Sequence, residues 1–167
     1  MEFLDIVNDK DEVVGRAPKD EIYEKRWPHR IVEVVLFNDR NELALQLRSM
    51  KKKGYPGYWA PTASGHVHAG ESYEQAAVRE LEEETGVTTD IKFAWKEFIQ
   101  AKVFWNNLPI TKILAFFTGR YDGSFVAQLS EVDRVEFFSL QKIKQMINSG
   151  EKMHPELLVF MKNRFGL

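Results

Sequence analysis

The chain has 167 residues, of which 44% are hydrophobic and 29% charged, and its net charge is −2. That is the size and balance of a globular chain able to bury a real core, and it lacks the basic field that extended nucleic-acid binding requires. Cysteine is absent, which removes disulfides, thiolate metal sites and cysteine nucleophiles together. The first residues, MEFLDIVNDKDEVVG, carry acids where a signal peptide has a basic and then an apolar run. No apolar stretch reaches membrane-spanning length, so the expected location is the cytoplasm with no membrane partner.

In chain order, residues 2–7 and 12–16 alternate apolar and polar around Asn8-Asp9-Lys10-Asp11, which predicts an N-terminal hairpin. Pro18 opens a short helix over Lys19 to Tyr23. Ile31 to Phe37 and Leu43 to Arg48 flank Asn38-Asp39-Arg40-Asn41 and predict a second hairpin. Lys51 to Gly57 reads as a loop leading into Tyr58 to Ala63. A helix follows from Ser72 to about Thr85, with a capping-box pair in Ser72 and Gln75 and Gly86 placed to end it. Its expected buried stripe is Ala77, Val78, Leu81 and Thr85. Ile91 to Lys102 and Ile110 to Tyr121 read as strands joined near Asn106-Asn107, and Arg134 to Phe138 as one more. Ser139 caps a helix reaching Ile147, and His154 to Phe165 forms the last amphipathic helix. No linker, repeat or low-complexity tract intervenes, so residues 1–167 read as one α+β domain, with 1–17 as a hairpin extension.

The segment Gly65 to Val87, GHVHAGESYEQAAVRELEEETGV, gathers Glu71, Glu80, Glu82, Glu83 and Glu84 around one short helix. Carboxylates at a helix C-terminus oppose the macrodipole and repel one another, so the cluster calls for a cation. A hard divalent ion suits oxygen ligands and leaves room for substrate phosphates. Glu80 and Glu84 lie about 40° apart on the helix and Glu83 about 60° to the other side of Glu80, so these three share a face. Glu82 points nearly opposite and reads as solvated. Arg79 is placed to pair with Glu83 one turn on. The glycines of Gly65 to Gly70 allow that loop to approach the carboxylate face closely and offer it carbonyl oxygens.

This spacing resembles the Nudix signature G-x5-E-x7-R-E-U-x-E-E-x-G-U, where U is a bulky apolar residue. Gly65, Glu71, Arg79, Glu80, Leu81, Glu83, Glu84, Gly86 and Val87 fill all of its specified positions. The resemblance implies a Nudix α/β/α sandwich, a mixed sheet flanked by helices, that hydrolyses a diphosphate bond in a nucleoside di- or triphosphate or nucleotide-linked compound. It casts Glu83 and Glu84 as principal ligands of Mg²⁺ or Mn²⁺, Glu80 as a ligand or general base, and Arg79 as the residue that orients that glutamate. The carbonyl of Ser64 or Gly65 completes the shell, and Glu131, from a loop beyond the box, is a further ligand or base.

A second resemblance narrows the branch. EFLDIVNDKDEVVGRAPKDEIY, HRIVEVVLFNDRNELALQLRS and GYPGYWAPTASGHVHAGES are similar to the Nudix branch that includes isopentenyl diphosphate isomerase. Isomerases of that branch need a cysteine before the box, where this chain has Ser64 or a near neighbour. His29 and His66 match two positions of their histidine metal site, but its earlier histidine has no counterpart, and the region Asn107 to Thr111 lacks their paired carboxylates. A hydrolase on the isomerase scaffold is therefore the expectation, with an isomerase relative or a non-catalytic nucleotide-sensing module as the alternatives. His29, His66 and His68 are expected to support the site before ligating metal directly, and His66 is carried as a substrate contact. Arg48, at the end of a strand, leads the basic run Lys51, Lys52 and Lys53, so Arg48 and Lys53 are candidates for the phosphates. Phe104 and Trp105, before a predicted loop, are candidates for ligand stacking, whereas Trp59 is expected in the core. A monomer or a homodimer paired through the hairpin fits the sequence equally.

Overall fold

The computed structural model describes residues 1–167. The chain opens with β1 (Phe3–Val7) and β2 (Val13–Pro18), a two-stranded antiparallel unit, followed by α1 (Lys19–Lys25). Then come β3 (His29–Phe37), β4 (Leu43–Arg48), β5 (Trp59–Ala60) and β6 (Ala63–His66). The helix α2 (Tyr73–Thr85) precedes β7 (Ile91–Lys102), β8 (Pro109–Arg120) and β9 (Val132–Phe138), and α3 (Leu140–Asn148) and α4 (Pro155–Phe165) close the chain. β3 to β9 form one mixed sheet in which only β3 and β8 run parallel. This is the expected α+β sandwich. No helix is long and apolar enough to cross a membrane.

Alternation along β3 builds the two layers. Val32, Val34 and Leu36 pack with Ala76, Ala77 and Leu81 of α2 on one face. Ile31 and Val35 pack with Ile143, Leu157 and Phe160 of α3 and α4 on the other. Strands buried on both faces read as continuous apolar runs, as β3 and β8 do. Trp59 sits in the second of these cores, as expected.

The predicted second hairpin forms its turn, with Asn41 left-handed at φ 57 and the Asn38 side chain accepting from the Arg40 and Glu42 amides. Its strands, however, pair only at Phe37 and Leu43. Beyond that point β6 takes over the edge of β3, and β4 turns to β5 and β9. Thr62 bridges the resulting fork: its hydroxyl accepts from the Leu36 amide at 2.9 Å and donates to the Ala44 carbonyl at 2.5 Å. The glutamate site sits at this fork.

The N-terminal hairpin docks onto its own domain. The Ala69 amide donates to the Phe3 carbonyl, the Gly70 amide to Asp5 and the Tyr73 hydroxyl to Asp11, while Arg30 and Lys96 pair with the same Asp11.

Candidate active site

The helix that carries the glutamates forms for the reasons its sequence gives. Ser72 Oγ accepts from the Gln75 amide while Gln75 Oε1 accepts from the Ser72 amide, and Gly86 ends the helix at φ 70. Its carbonyls do not face the acidic end unpaired: Gln128 and Val126 donate to the carbonyls of Glu84 and Thr85. One part of the expected buried stripe is wrong. Val78 is 45% exposed, and Ala76 and Glu84 are buried instead, because the contact face of α2 is centred on Ala77, Leu81 and Glu84.

Glu84 is therefore a buried carboxylate, 5% exposed, whose oxygen Oε1 accepts from the Ser64 amide at 2.8 Å and from Gln46 Nε2 at 3.2 Å. Both donors are neutral. Burial pushes its pKa up to about 8, partly offset by those donors and reinforced by the charges of Glu80 and Glu131. Glu80 is pushed up to about 7, again chiefly by burial and against the pull of Arg79. Glu83 is more open, its side chain 54% exposed. Glu82 is exposed, as expected.

Arg79 holds this group together. Its guanidinium donates to both oxygens of Glu71 at 2.8 and 2.9 Å, to Glu80 at 2.7 Å and to the His66 carbonyl at 2.9 Å. The predicted contact with Glu83 is present but longer, at 3.4 Å. The donors of Arg79 are thus engaged within the protein, and they hold the Glu80 carboxylate in place. Gly65 makes the close approach expected of it: a Cβ there would stand 2.1 Å from the Glu80 carboxyl carbon.

Apart from Glu71, these residues line one cavity of about 1710 Å³, which His29 does not reach. Ser64, Gly65, Arg79, Glu80, Glu83 and Glu84 share its wall with Arg48, Lys53, His66, Phe104, Trp105 and Glu131. Three of these are already engaged. Arg48 donates to the Gly54 carbonyl at 3.2 and 2.8 Å, holding the lysine loop, and Glu131 pairs with Lys52. His66 Nε2 meets the Tyr23 hydroxyl at 2.8 Å, and burial holds the ring neutral. His29 is fully buried with Nδ1 on the Trp27 carbonyl, and His68 faces Glu2 at 3.3 Å.

No three carboxylate or imidazole groups converge on one point in this arrangement, in which Arg79 stands among Glu71, Glu80 and Glu83. The donor set nevertheless fits a hard divalent cation. It is all oxygen, and it includes the buried Glu84 and the half-buried Glu80, whose ionised forms burial disfavours unless a cation accompanies them.

Sequence reading missed a second set of ionisable groups farther inside. Glu33 and Lys112 occupy core-facing positions of β3 and β8, and Glu156 joins them from α4. Lys112 Nζ donates to Glu156 Oε1 at 3.0 Å, and Ser64 Oγ donates to Glu33 Oε1 at 3.0 Å. Burial and the neighbouring Glu156 push Glu33 well up, whereas Lys112 holds Glu156 ionised. The signal was a lone charge at an inward position of an apolar strand, in HRIVEVVLF and in PITKILAFF.

The NUDIX domain family matches residues 27–157 of the chain. The chain belongs to the Nudix family. An isopentenyl-diphosphate Delta-isomerase 2 of Photorhabdus laumondii is 31% identical over 153 residues, covering 92% of this chain and 86% of that one. An uncharacterised Nudix hydrolase of Listeria innocua is also 31% identical, over 157 residues, covering 90% and 88%. Among solved structures, DR0079 of Deinococcus radiodurans superposes with a TM-score of 0.81 at 25% identity, covering 98% of this chain and 99% of that one. As an enzyme the chain is a Nudix pyrophosphohydrolase, and Nudix hydrolases generally use divalent metals.

Proposed function

We propose that this Nudix protein hydrolyses a diphosphate bond in a nucleoside di- or triphosphate, or a nucleotide-linked diphosphate, with Mg²⁺ or Mn²⁺ as its cation. The observation that carries the reading is Glu84, a buried carboxylate with only neutral donors, beside Glu80 in a cavity rimmed by Arg48, Lys51, Lys52 and Lys53. Glu80, Glu83 and Glu84 would hold the cation, with the Ser64 or Gly65 carbonyl and Glu131 as further oxygens. When bound, such an ion withdraws charge from the phosphates and lowers the pKa of water.

The chain's own residues supply the rest. Arg79 fixes Glu80 against Gly65, so that this carboxylate meets the reacting water from a set position. Lys53 and Lys51 stand at the rim to meet phosphate oxygens, while Arg48 and the Lys52–Glu131 pair shape the loop that carries them. Phe104 and Trp105, half exposed beside Gly54 and Tyr23, offer apolar faces to the organic part of the substrate.

The test is a panel of nucleoside di- and triphosphates and nucleotide-linked diphosphates with Mg²⁺, Mn²⁺ or EDTA, run in ¹⁸O-labelled water to locate the phosphorus attacked. Metal-dependent release of phosphate or nucleotide supports the reading, and inertness across the panel sinks it in favour of a sensing module. The identity to a named isomerase favours a second reading, isomerisation of isopentenyl diphosphate. The chain has no cysteine to supply a proton at Ser64, so incubation with that substrate should return it without dimethylallyl product.

A further inference from the structure

Nothing in the hydrolysis derived above uses Lys112 or Glu156, yet both side chains open onto the same cavity, 15% and 6% exposed, and bond each other at 3.0 Å. A buried ion pair is a weak source of stability, and an apolar pair of similar volume would serve the fold as well or better. The pair therefore calls for another use.

Its surroundings narrow that use. The ammonium and the carboxylate cancel each other, so the pair itself adds no net charge to the wall and suits contact with a neutral group. The walls are flat rings. Lys112 Nζ stands 6.0 Å from the centre of the Tyr23 ring, which packs against Trp105 at 5.8 Å. On another wall Tyr55 meets His154 at 4.5 Å. Lys112 can only donate and Glu156 can only accept. Side by side, they complement a planar ring whose edge places a hydrogen-bond acceptor next to a donor. Every nucleobase has such an edge. An alkyl tail has none, and it would leave both groups desolvated without the partners water gave them. Ser64 joins this end to the glutamate site, its amide on Glu84 and its hydroxyl on Glu33. A base lodged at Lys112 thus keeps its diphosphate within reach of the carboxylate helix.

We propose that the Lys112–Glu156 pair reads the base of the substrate and so selects nucleoside diphosphates over alkyl diphosphates. This rests on the hydrolase reading above. Recognition by paired polar groups discriminates strongly against a ligand that lacks the matching edge.

The experiment compares kcat/KM for nucleoside diphosphates and for isopentenyl diphosphate, scored by phosphate release, in wild type, Glu156→Gln and Lys112→Met/Glu156→Leu. The double change removes both charges together, because Lys112→Met alone would strand a buried carboxylate. Wild type should favour nucleoside diphosphates by about a hundredfold or more, and the folded double variant should lose at least about tenfold of that ratio. Glu156→Gln, which keeps the shape but adds a donor, should reorder the preference among bases. In parallel, saturation-transfer NMR with free nucleosides on metal-free protein reads the pocket without any hydrolysis. Nucleoside signals in wild type that vanish in the double variant support the proposal. An unchanged ratio in a folded double variant overturns it, as does a preference of wild type for the alkyl diphosphate. Nucleoside binding that depends on the pair, with no diphosphate hydrolysed, would remove the hydrolase reading and leave the base pocket standing.

Discussion

Glu84→Gln separates stability from function at the position where the two conflict most. Burial raises this carboxyl from 4.5 to about 8. A carboxyl raised in the folded state favours folding when both states are protonated, below about pH 4.5, and that contribution is lost as pH rises towards 8. Relative to a neutral side chain, the metal-free fold then loses about 3 kcal/mol at pH 7 and less than about 1 kcal/mol at pH 5. Glutamine keeps an oxygen for the Ser64 and Gln46 donors, and the buried, unpartnered Gln46 Oε1 stands ready as acceptor for the new amide. The EDTA-treated variant should therefore melt about 6–12 °C above wild type at pH 7, with the gap narrowing at pH 5. Adding Mg²⁺ should raise the melting point of wild type and move the variant far less, and phosphate release by the variant should fall to background. Melting curves at three pH values, with and without Mg²⁺, alongside a phosphate-release assay, read all of this. A variant that melts below wild type at every pH would refute the electrostatic argument, and near-normal turnover would refute the metal assignment.

Gly65→Ala should leave the melting point within a few degrees, because the atoms nearest the new Cβ are the far end of the Glu80 side chain; by displacing that carboxylate it should lower kcat about a hundredfold. Unchanged kcat would show that Glu80 needs no fixed position. Arg79→Lys supplies one ammonium where Glu71, Glu80 and the His66 carbonyl share a planar fork, so kcat should drop about 10–100-fold with KM little altered. A KM effect alone would make Arg79 a substrate contact. His154→Asn keeps a side chain able to cap α4 but removes a histidine that burial holds down to about 4. The unfolded chain takes up that proton near pH 6.5, so wild type should lose about 2 kcal/mol more than the variant between pH 7 and pH 5 in urea titrations. Parallel pH profiles would show that His154 is already protonated in the fold.

What was legible in the sequence was local. Ser72, Gln75 and Gly86 announce both ends of α2 because capping acts within one turn, and the order Glu80, Glu83, Glu84 fixes a helix face by geometry alone. The depth of Glu84 was not legible, because its partners Ser64 and Gln46 arrive from β6 and β4, strands whose divergence after Phe37 and Leu43 no local pattern encodes. Arg48 shows the same limit. It ends β4 where the sequence places it, yet it spends its guanidinium on the Gly54 carbonyl, a contact set by how the lysine loop folds back.

Glu33 and Lys112 illustrate a different failure. In a strand buried on both faces, hydrophobic alternation no longer distinguishes inside from outside, so a single charge reads as a turn towards solvent. Here each such charge keeps the parity of its apolar neighbours: Glu33 lies between Ile31 and Val35, and Lys112 two residues before Leu114, all facing α3 and α4. Desolvating those groups demands a compensating interaction. Ser64 supplies it to Glu33 and Glu156 supplies it to Lys112, which places both partners at the inner wall of the cavity. The same serine touches Glu84 through its amide. A change at the inner wall therefore has a direct route to the carboxylate helix, and variants of Glu33 should alter the position of Glu84 even though the two side chains belong to different layers of the sandwich.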